Sequence, residues 1–473
     1  MDERLSVALM IDMLQPDRNT FFNNLRENEY SRLDQAGHVY LDYTGGNIHP
    51  KSLVEKHVAY LQKEVYGNPH STNPSSLLSD KHVNDAREKV LNFFNANNYY
   101  CVFTNNATGA LQIVGENYPF CNESHFLLTD DNHNSVNGIR EYCRSKGGDY
   151  TYSIMNRHDL SIHERQLYKN LISHPDKKNK LFAFPAQSNA SGVQHSLKWI
   201  DKAHEQGWDV LLDAAAFVPT SKLNLSTHPA DFVSLSFYKI FGYPTGIGCL
   251  LIHKSKFNKL KKGVFAGGTV SLVANTYSAY FLKPDYGKFE NGTLNYLGIP
   301  AISQGLDFIS AIGMENISQR IKDLSTVLLS GFKQLLHNNG LPLIKLYGPK
   351  DLEKRGGTFL VNFFDEDGQP FSLQEIIQRA NNELISLRTG CFCNPGIDEL
   401  NNDLSADELR NYFNGRDHGD YEDMTGFLNK MRGAVRISVG IPTTGHDLEK
   451  FKNFARSFLN QKVAKTASSP TIL

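Results

Sequence analysis

Short apolar runs recur along the first half of the chain, each bounded by polar or turn-forming residues. They are CVFTN (101–105), HFLLTD (125–130), KLFAFPA (180–186), WDVLLDAAA (208–216), DFVSLSF (231–237) and GIGCLLIH (246–253). Runs of this length, most of them flanked by Gly, Asn, Asp or Pro, predict strands buried on both faces. Amphipathic helical segments separate several of them, and that alternation predicts an α/β fold with a mainly parallel sheet covered by helices. The pattern changes after residue 300. AISQGLDFISAIGMENISQRIKDLSTVLLSGFKQLLHN (301–338) is apolar at helical spacing and predicts one long connector helix. TFLVNFF (358–364), a helix around 372–383, a loop at 386–397 and the strand AVRISVG (434–440) then predict a smaller α/β C-terminal domain. The expected division is a polar, helix-prone lead-in (1–37), a large domain (38–300), a connector with the small domain (301–463) and a disordered tail, AKTASSPTIL (464–473). The acidic, Asn-rich stretch 398–430 reads as an insertion or lid, or more simply as a surface excursion.

Composition narrows the partners. Lys and Arg total 49 against 50 Asp and Glu, so no charge excess points to nucleic acid or a lipid surface, and an anionic ligand must be held locally. No apolar run reaches the length of about 18 residues that a membrane helix needs. The start, MDERLSVALMIDMLQPDRN, lacks a basic leader and a cleavage site, which predicts no signal peptide. Six cysteines are too few for a disulfide scaffold, and none has zinc-site spacing. A cytoplasmic protein without a metal is expected.

The chemistry gathers at strand ends. Lys239, in SLSFYKIFGYPTGIGCLLI, follows a strand, sits among aromatics and precedes a Gly-rich turn. Partial desolvation there lowers an amine's pKa, and the neutral amine is the nucleophile in Schiff-base chemistry. Asp213 ends the strand VLLD, where open α/β sheets bind ligands, although an aspartate there also suits a helix N-cap. TNNATGALQIV (104–114) passes from a strand into a helix whose free N–H groups, with the Thr108 hydroxyl, can seat a phosphate. His133 suits stacking on a flat ring or plain solvation. Asn189 suits a ring-oxygen contact or an Asx-turn.

These segments, with YLDYTGGNIHP (40–50), YGNPHS (66–71), PAQSNASG, LRTGCFCNPG (387–396) and VRISVG (435–440), resemble the class V aminotransferases. That family of fold-type I pyridoxal 5′-phosphate (PLP) enzymes includes cysteine desulfurases, and the resemblance is nearest to the N-terminal domain of molybdenum cofactor sulfurases. It implies a fold-type I PLP-dependent transferase with a mainly parallel sheet of the seven-stranded type. It further implies that Lys239 bonds the cofactor, Asp213 pairs with the pyridine nitrogen, His133 stacks on the ring and Asn189 contacts the ring oxygen. Ala107, Thr108, Ser236 and Tyr238 would form the phosphate cup, Tyr238 standing where many relatives have histidine. Thr293 matches a residue lent to the neighbouring subunit's phosphate, which implies a homodimer. One departure stands out. Desulfurases usually read Asp-x-x-Gln at the pyridinium strand, whereas this chain reads Asp213-Ala-Ala-Ala216, and the glutamine contact to the ring oxygen is missing.

The same resemblance places Cys393 at the persulfide-forming position, with Arg388 and Gly390 shaping its loop and Cys391 as a relay or second thiol. Arg436 matches the clamp on the substrate carboxylate, a role its planar fork suits. Cys101, Cys121, Cys143 and Cys249 read as packing. The implied reaction is desulfuration of L-cysteine to L-alanine, with sulfur passing from Cys393 to an acceptor protein. A carbon–sulfur lyase, a selenocysteine lyase or an amino-acid epimerase is the alternative on the same scaffold. With the chain ending at residue 473, the C-terminal cofactor-binding domain of molybdenum cofactor sulfurases is expected to be absent.

Overall fold

In a computed structural model the described residues are 16–463, so the tail 464–473 and the first fifteen residues lie outside it. A seven-stranded sheet forms the centre. Its spatial order is Tyr99–Thr104, Gly248–His253, Phe232–Ser236, Asp209–Asp213, Asn179–Pro185, Ser124–Thr129 and Asp149–Ser153. Gly248–His253 runs antiparallel to both of its neighbours, and the other pairings are parallel. All six predicted strands are present and mostly buried, as their unbroken apolar runs require. The seventh, Asp149–Ser153, is an edge strand of sequence DYTYS with its first residues exposed, and no apolar run announces it.

The expected single helix over 301–338 is corrected to two, Pro300–Ile312 and Met314–Gln334. The break is at Gly313, whose φ of 86° a side-chain-bearing residue rarely adopts. Beyond it, strands Ile344–Tyr347, Thr358–Phe363, Ala434–Ser438 and Arg388–Gly390 form an antiparallel four-stranded sheet in that order.

The lead-in packs against this second unit. Helix Pro16–Glu29 buries Phe22, and Arg26 reaches the Pro442 carbonyl at 2.9 Å and Asp447 at 3.3 Å. The chain then adds Val39–Tyr40 in parallel to Ile385–Ser386, which carries Asp42 beside the small sheet. A two-stranded ribbon, Val270–Ala274 with Ala279–Leu282, extends from the large unit with Leu272, Tyr277 and Phe281 exposed. Among the described residues no helix is long and apolar enough to cross a membrane.

Candidate active site

Strand Phe232–Ser236 runs directly into the five-residue helix Phe237–Phe241. Phe237, Ile240 and Phe241 are buried and anchor that helix, which leaves Lys239 on the wall of a cavity of about 250 Å³. Burial lowers the Lys239 pKa below the ordinary lysine value, while the charge of Asp213 opposes part of that shift. The adjacent strand ends in Asp213, whose Oδ1 accepts from Ser234 Oγ at 2.9 Å and from the Ala215 N–H at 3.1 Å. Both bonds fall on Oδ1, which leaves Oδ2 for a ring N–H.

The other predicted cofactor residues line the same cavity: Ala107, Thr108, His133, Asn189, Ser236 and Tyr238. His133 Nδ1 accepts from the Ser135 N–H at 3.1 Å, and burial lowers the ring's pKa. A neutral imidazole follows, apt for stacking on a flat aromatic ring. On the same cavity wall, helix Ala107–Asn117 begins under an Asn106 cap. The Ala107 N–H meets Ser236 Oγ at 2.8 Å, and the Thr108 and Ser135 hydroxyls lie 2.7 Å apart. Hydroxyls gathered at the positive end of a helix suit a phosphate ester. An amine of lowered pKa, a carboxylate on the same cavity wall and a phosphate seat together fit PLP. Asn106 and Ser135 received no role from the sequence, although both lie within motifs that were singled out.

Beside this cavity lies a second cluster that does not line it. Asp42 Oδ2 accepts from Arg388 Nε at 2.9 Å and Nη2 at 2.7 Å, while its Oδ1 accepts from Arg436 Nη2 at 2.8 Å. Burial lowers the Arg436 pKa and Asp42 counters it. Arg436 also donates to the Asn189 carbonyl at 3.0 Å, and its Nε is buried without an acceptor among the described residues. An unpaired buried donor of this kind is costly. Asp42 is a residue that sequence reasoning missed, although it sits in the YLDYTGG run.

Cys393 is exposed, on the loop between strand Arg388–Gly390 and helix Pro395–Asn401. Phe392 and Cys393 both have positive φ, 59° and 54°. That loop is tied on several sides. Cys393 O accepts from the Asn134 N–H at 2.7 Å, next to His133, and Phe392 O accepts from Asn189 Nδ2 at 2.8 Å. The fully buried Asn394 donates to Asp131 O at 2.7 Å and Asn189 Oδ1 at 3.0 Å. The sequence reading gave Asn394 no role. Asp130, packed against the helix that follows the loop, is pushed up to about 7 by burial and by the charges of Asp131 and Glu399.

Thr293 is exposed and lines a neighbouring cavity of about 220 Å³ that shares Gly246 with the first. The stretch 398–430 carries two helices, Ala406–Phe413 and Tyr421–Leu428, closed at the base by Asp398, which accepts from Arg432 Nε at 2.6 Å. None of its residues lines the cofactor cavity. Cys101, Cys143 and Cys249 are buried and Cys121 is partly exposed.

Comparison with known proteins agrees with this geometry. The family Aminotransferase class-V matches residues 39–451. The molybdenum cofactor sulfurase of Arabidopsis thaliana is 35% identical, over 97% of this chain and 60% of its own length. That of Oryza sativa subsp. japonica is 36% identical, over 92% of this chain and 57% of its own length. The chain thus spans less than two thirds of these relatives. Among solved structures, an apo cysteine desulfurase from Thermococcus onnurineus NA1 superposes with a TM-score of 0.76 at 22% identity, covering 92% of this chain and 97% of that one. The chain belongs to the class V aminotransferase family and has the fold of the cysteine desulfurase structures it superposes on.

Proposed function

We propose that the protein removes sulfur from L-cysteine, releases L-alanine and carries the sulfur as a persulfide on Cys393. The observation that supports this most is the position of Cys393. It is an exposed thiol on a loop bonded to the backbone beside His133 and to the side chain of Asn189, two residues of the cofactor cavity. PLP, when bound, supplies the electron sink that labilises bonds at the substrate's α and β carbons. Lys239 presents a neutral amine, and Asp213 keeps the proton on the pyridine nitrogen. Arg436 receives the substrate carboxylate, with Asp42 holding both arginines in place until it arrives. The Cys393 thiolate attacks the substrate sulfur. One carbon–sulfur bond breaks and one sulfur–sulfur bond forms, so that L-cysteine and the Cys393 thiol give L-alanine and Cys393–S–SH.

Incubation with L-cysteine tests the reading. Alanine in amounts matching the enzyme, together with a single sulfur added to the peptide holding Cys391 and Cys393, is the expected result. Pyruvate with free sulfide, or another amino acid as product, would replace this reading with the lyase or epimerase alternative.

The reading includes a homodimer, a cytoplasmic setting that keeps Cys393 reduced, and a protein that accepts the sulfur. The ribbon residues Leu272 (61% exposed), Tyr277 (79%) and Phe281 (69%) are outward apolar groups that a second copy would cover, and Thr293 is exposed as well. Sedimentation equilibrium is expected to give twice the chain mass, and replacing Leu272 and Phe281 together by serine to give one chain mass. A monomeric wild-type protein would remove the dimer from the reading.

A further inference from the structure

With Ala214, Ala215 and Ala216 following Asp213, the strand end offers no side-chain donor to the cofactor's phenolic oxygen. Asn189, the residue expected there, is engaged elsewhere. Its Nδ2 donates to Phe392 O at 2.8 Å, its Oδ1 accepts from Asn394 at 3.0 Å, and its carbonyl accepts from Arg436 at 3.0 Å. One hydrogen of that amide remains, on a group whose orientation the cysteine loop dictates.

Gln187 lies two residues earlier and is only 3% exposed. It lines the cofactor cavity, and also a small cavity of about 20 Å³ shared with Ala215, Ala216 and Lys239. Its Oε1 accepts from Gln194 Nε2 at 2.9 Å, and that same nitrogen donates to Ser221 Oγ at 2.8 Å. In this arrangement Gln187 Nε2, a two-hydrogen donor, has no acceptor among the described residues. The amide fits only because residue 356 is glycine, since a Cβ there would collide with Oε1 and with the amide carbon.

We propose that Gln187 donates through Nε2 to the phenolic oxygen of the pyridoxal ring, taking the place of the glutamine that Ala216 lacks, while Asn189 holds the cysteine loop. A donor on that oxygen draws electron density from it and lowers the proton affinity of the adjacent nitrogen through which Lys239 holds the cofactor. Gln187 therefore both retains the cofactor and sets its protonation.

The test is a cycle of two proteins and two cofactors. Apo forms of the wild type and of Gln187→Met are titrated with PLP and with its 3-deoxy analogue, which lacks the phenolic oxygen, and affinity is read by protein fluorescence. Gln187→Met is expected to weaken PLP binding about tenfold, the loss of one hydrogen bond to a charged group, and to leave binding of the analogue unchanged. The pH midpoint of the bound cofactor's visible band is expected to rise by about one unit. Asn189→Ala is expected to affect both cofactors alike. Equal penalties for Gln187→Met with the two cofactors, or an oxygen-dependent penalty in Asn189→Ala instead, would overturn the assignment. If Gln187→Met does not fold, Gln187→Asn, too short to reach the ring, is run through the same cycle with the same readings.

Discussion

Lys239→Ala is expected to give a folded protein that has lost the visible absorbance of bound cofactor and turns over L-cysteine on the order of 10³-fold more slowly, or worse. The fold survives because the short helix Phe237–Phe241 is held by Phe237, Ile240 and Phe241, and Lys239 contributes only its reactive amine to the cavity wall. The effect on chemistry is large because, among the described residues, no other lysine lines that cavity. A pH dependence accompanies it. Burial disfavours the charged form of Lys239, so its folded pKa is lowered and the neutral, nucleophilic amine is populated from a lower pH than in an exposed lysine. Cofactor uptake by the wild-type apo-protein should therefore begin at lower pH than the reaction of PLP with a solvent-exposed lysine, and should be blocked at acid pH where the amine is protonated. Absorbance of mixtures prepared across a pH series measures both. A normal cofactor band in Lys239→Ala would remove the assignment of the nucleophile.

What could be read before any coordinates follows from the range over which each signal acts. Apolar runs such as VLLD and FVSLS declare central strands because both faces of each must be buried, and the strand ends then locate Asp213 and Lys239. Asp149–Ser153 escapes the same reasoning because an edge strand keeps polar, exposed positions. The helix break at Gly313 was hidden because the apolar spacing continues across it, while a single φ of 86° ends one helix and starts the next. The second cluster was illegible for a different reason. Asp42, Asn189, Arg388 with Asn394, and Arg436 come from four separate segments, and no local period or motif says that two arginines share one carboxylate or that Asn394 bonds Asn189. The family resemblance supplied roles for Asn189 and Arg436 one residue at a time. It did not supply their partners, which are Phe392 and Asn394 for Asn189 and Asp42 for Arg436.

Cys393→Ala is expected to keep the cofactor band and bind L-cysteine, yet form no persulfide, with alanine production falling about 10²–10³-fold. The reason lies in how the loop is built. Positive φ at Phe392 and Cys393 turns the chain sharply, and bonds from Asn134 and Asn189 to the backbone fix the turn, so Cys393 is the exposed thiol and Cys391 the half-buried one. Removing one sulfur atom from an exposed side chain disturbs none of those backbone bonds, and the cofactor cavity, which Cys393 does not line, stays intact. Loss of sulfur transfer without loss of colour would separate the nucleophile from the cofactor site. Cys391→Ala is the matched comparison and is expected to retain persulfide formation at Cys393. Mass spectrometry of the peptide spanning both residues, after a single turnover with L-cysteine, distinguishes the two thiols. Unchanged sulfur transfer in Cys393→Ala would move the acceptor role to Cys391 or to sulfide released directly from the substrate, and the tethering of the loop by Asn189 and Asn394 would then have to be explained by packing alone.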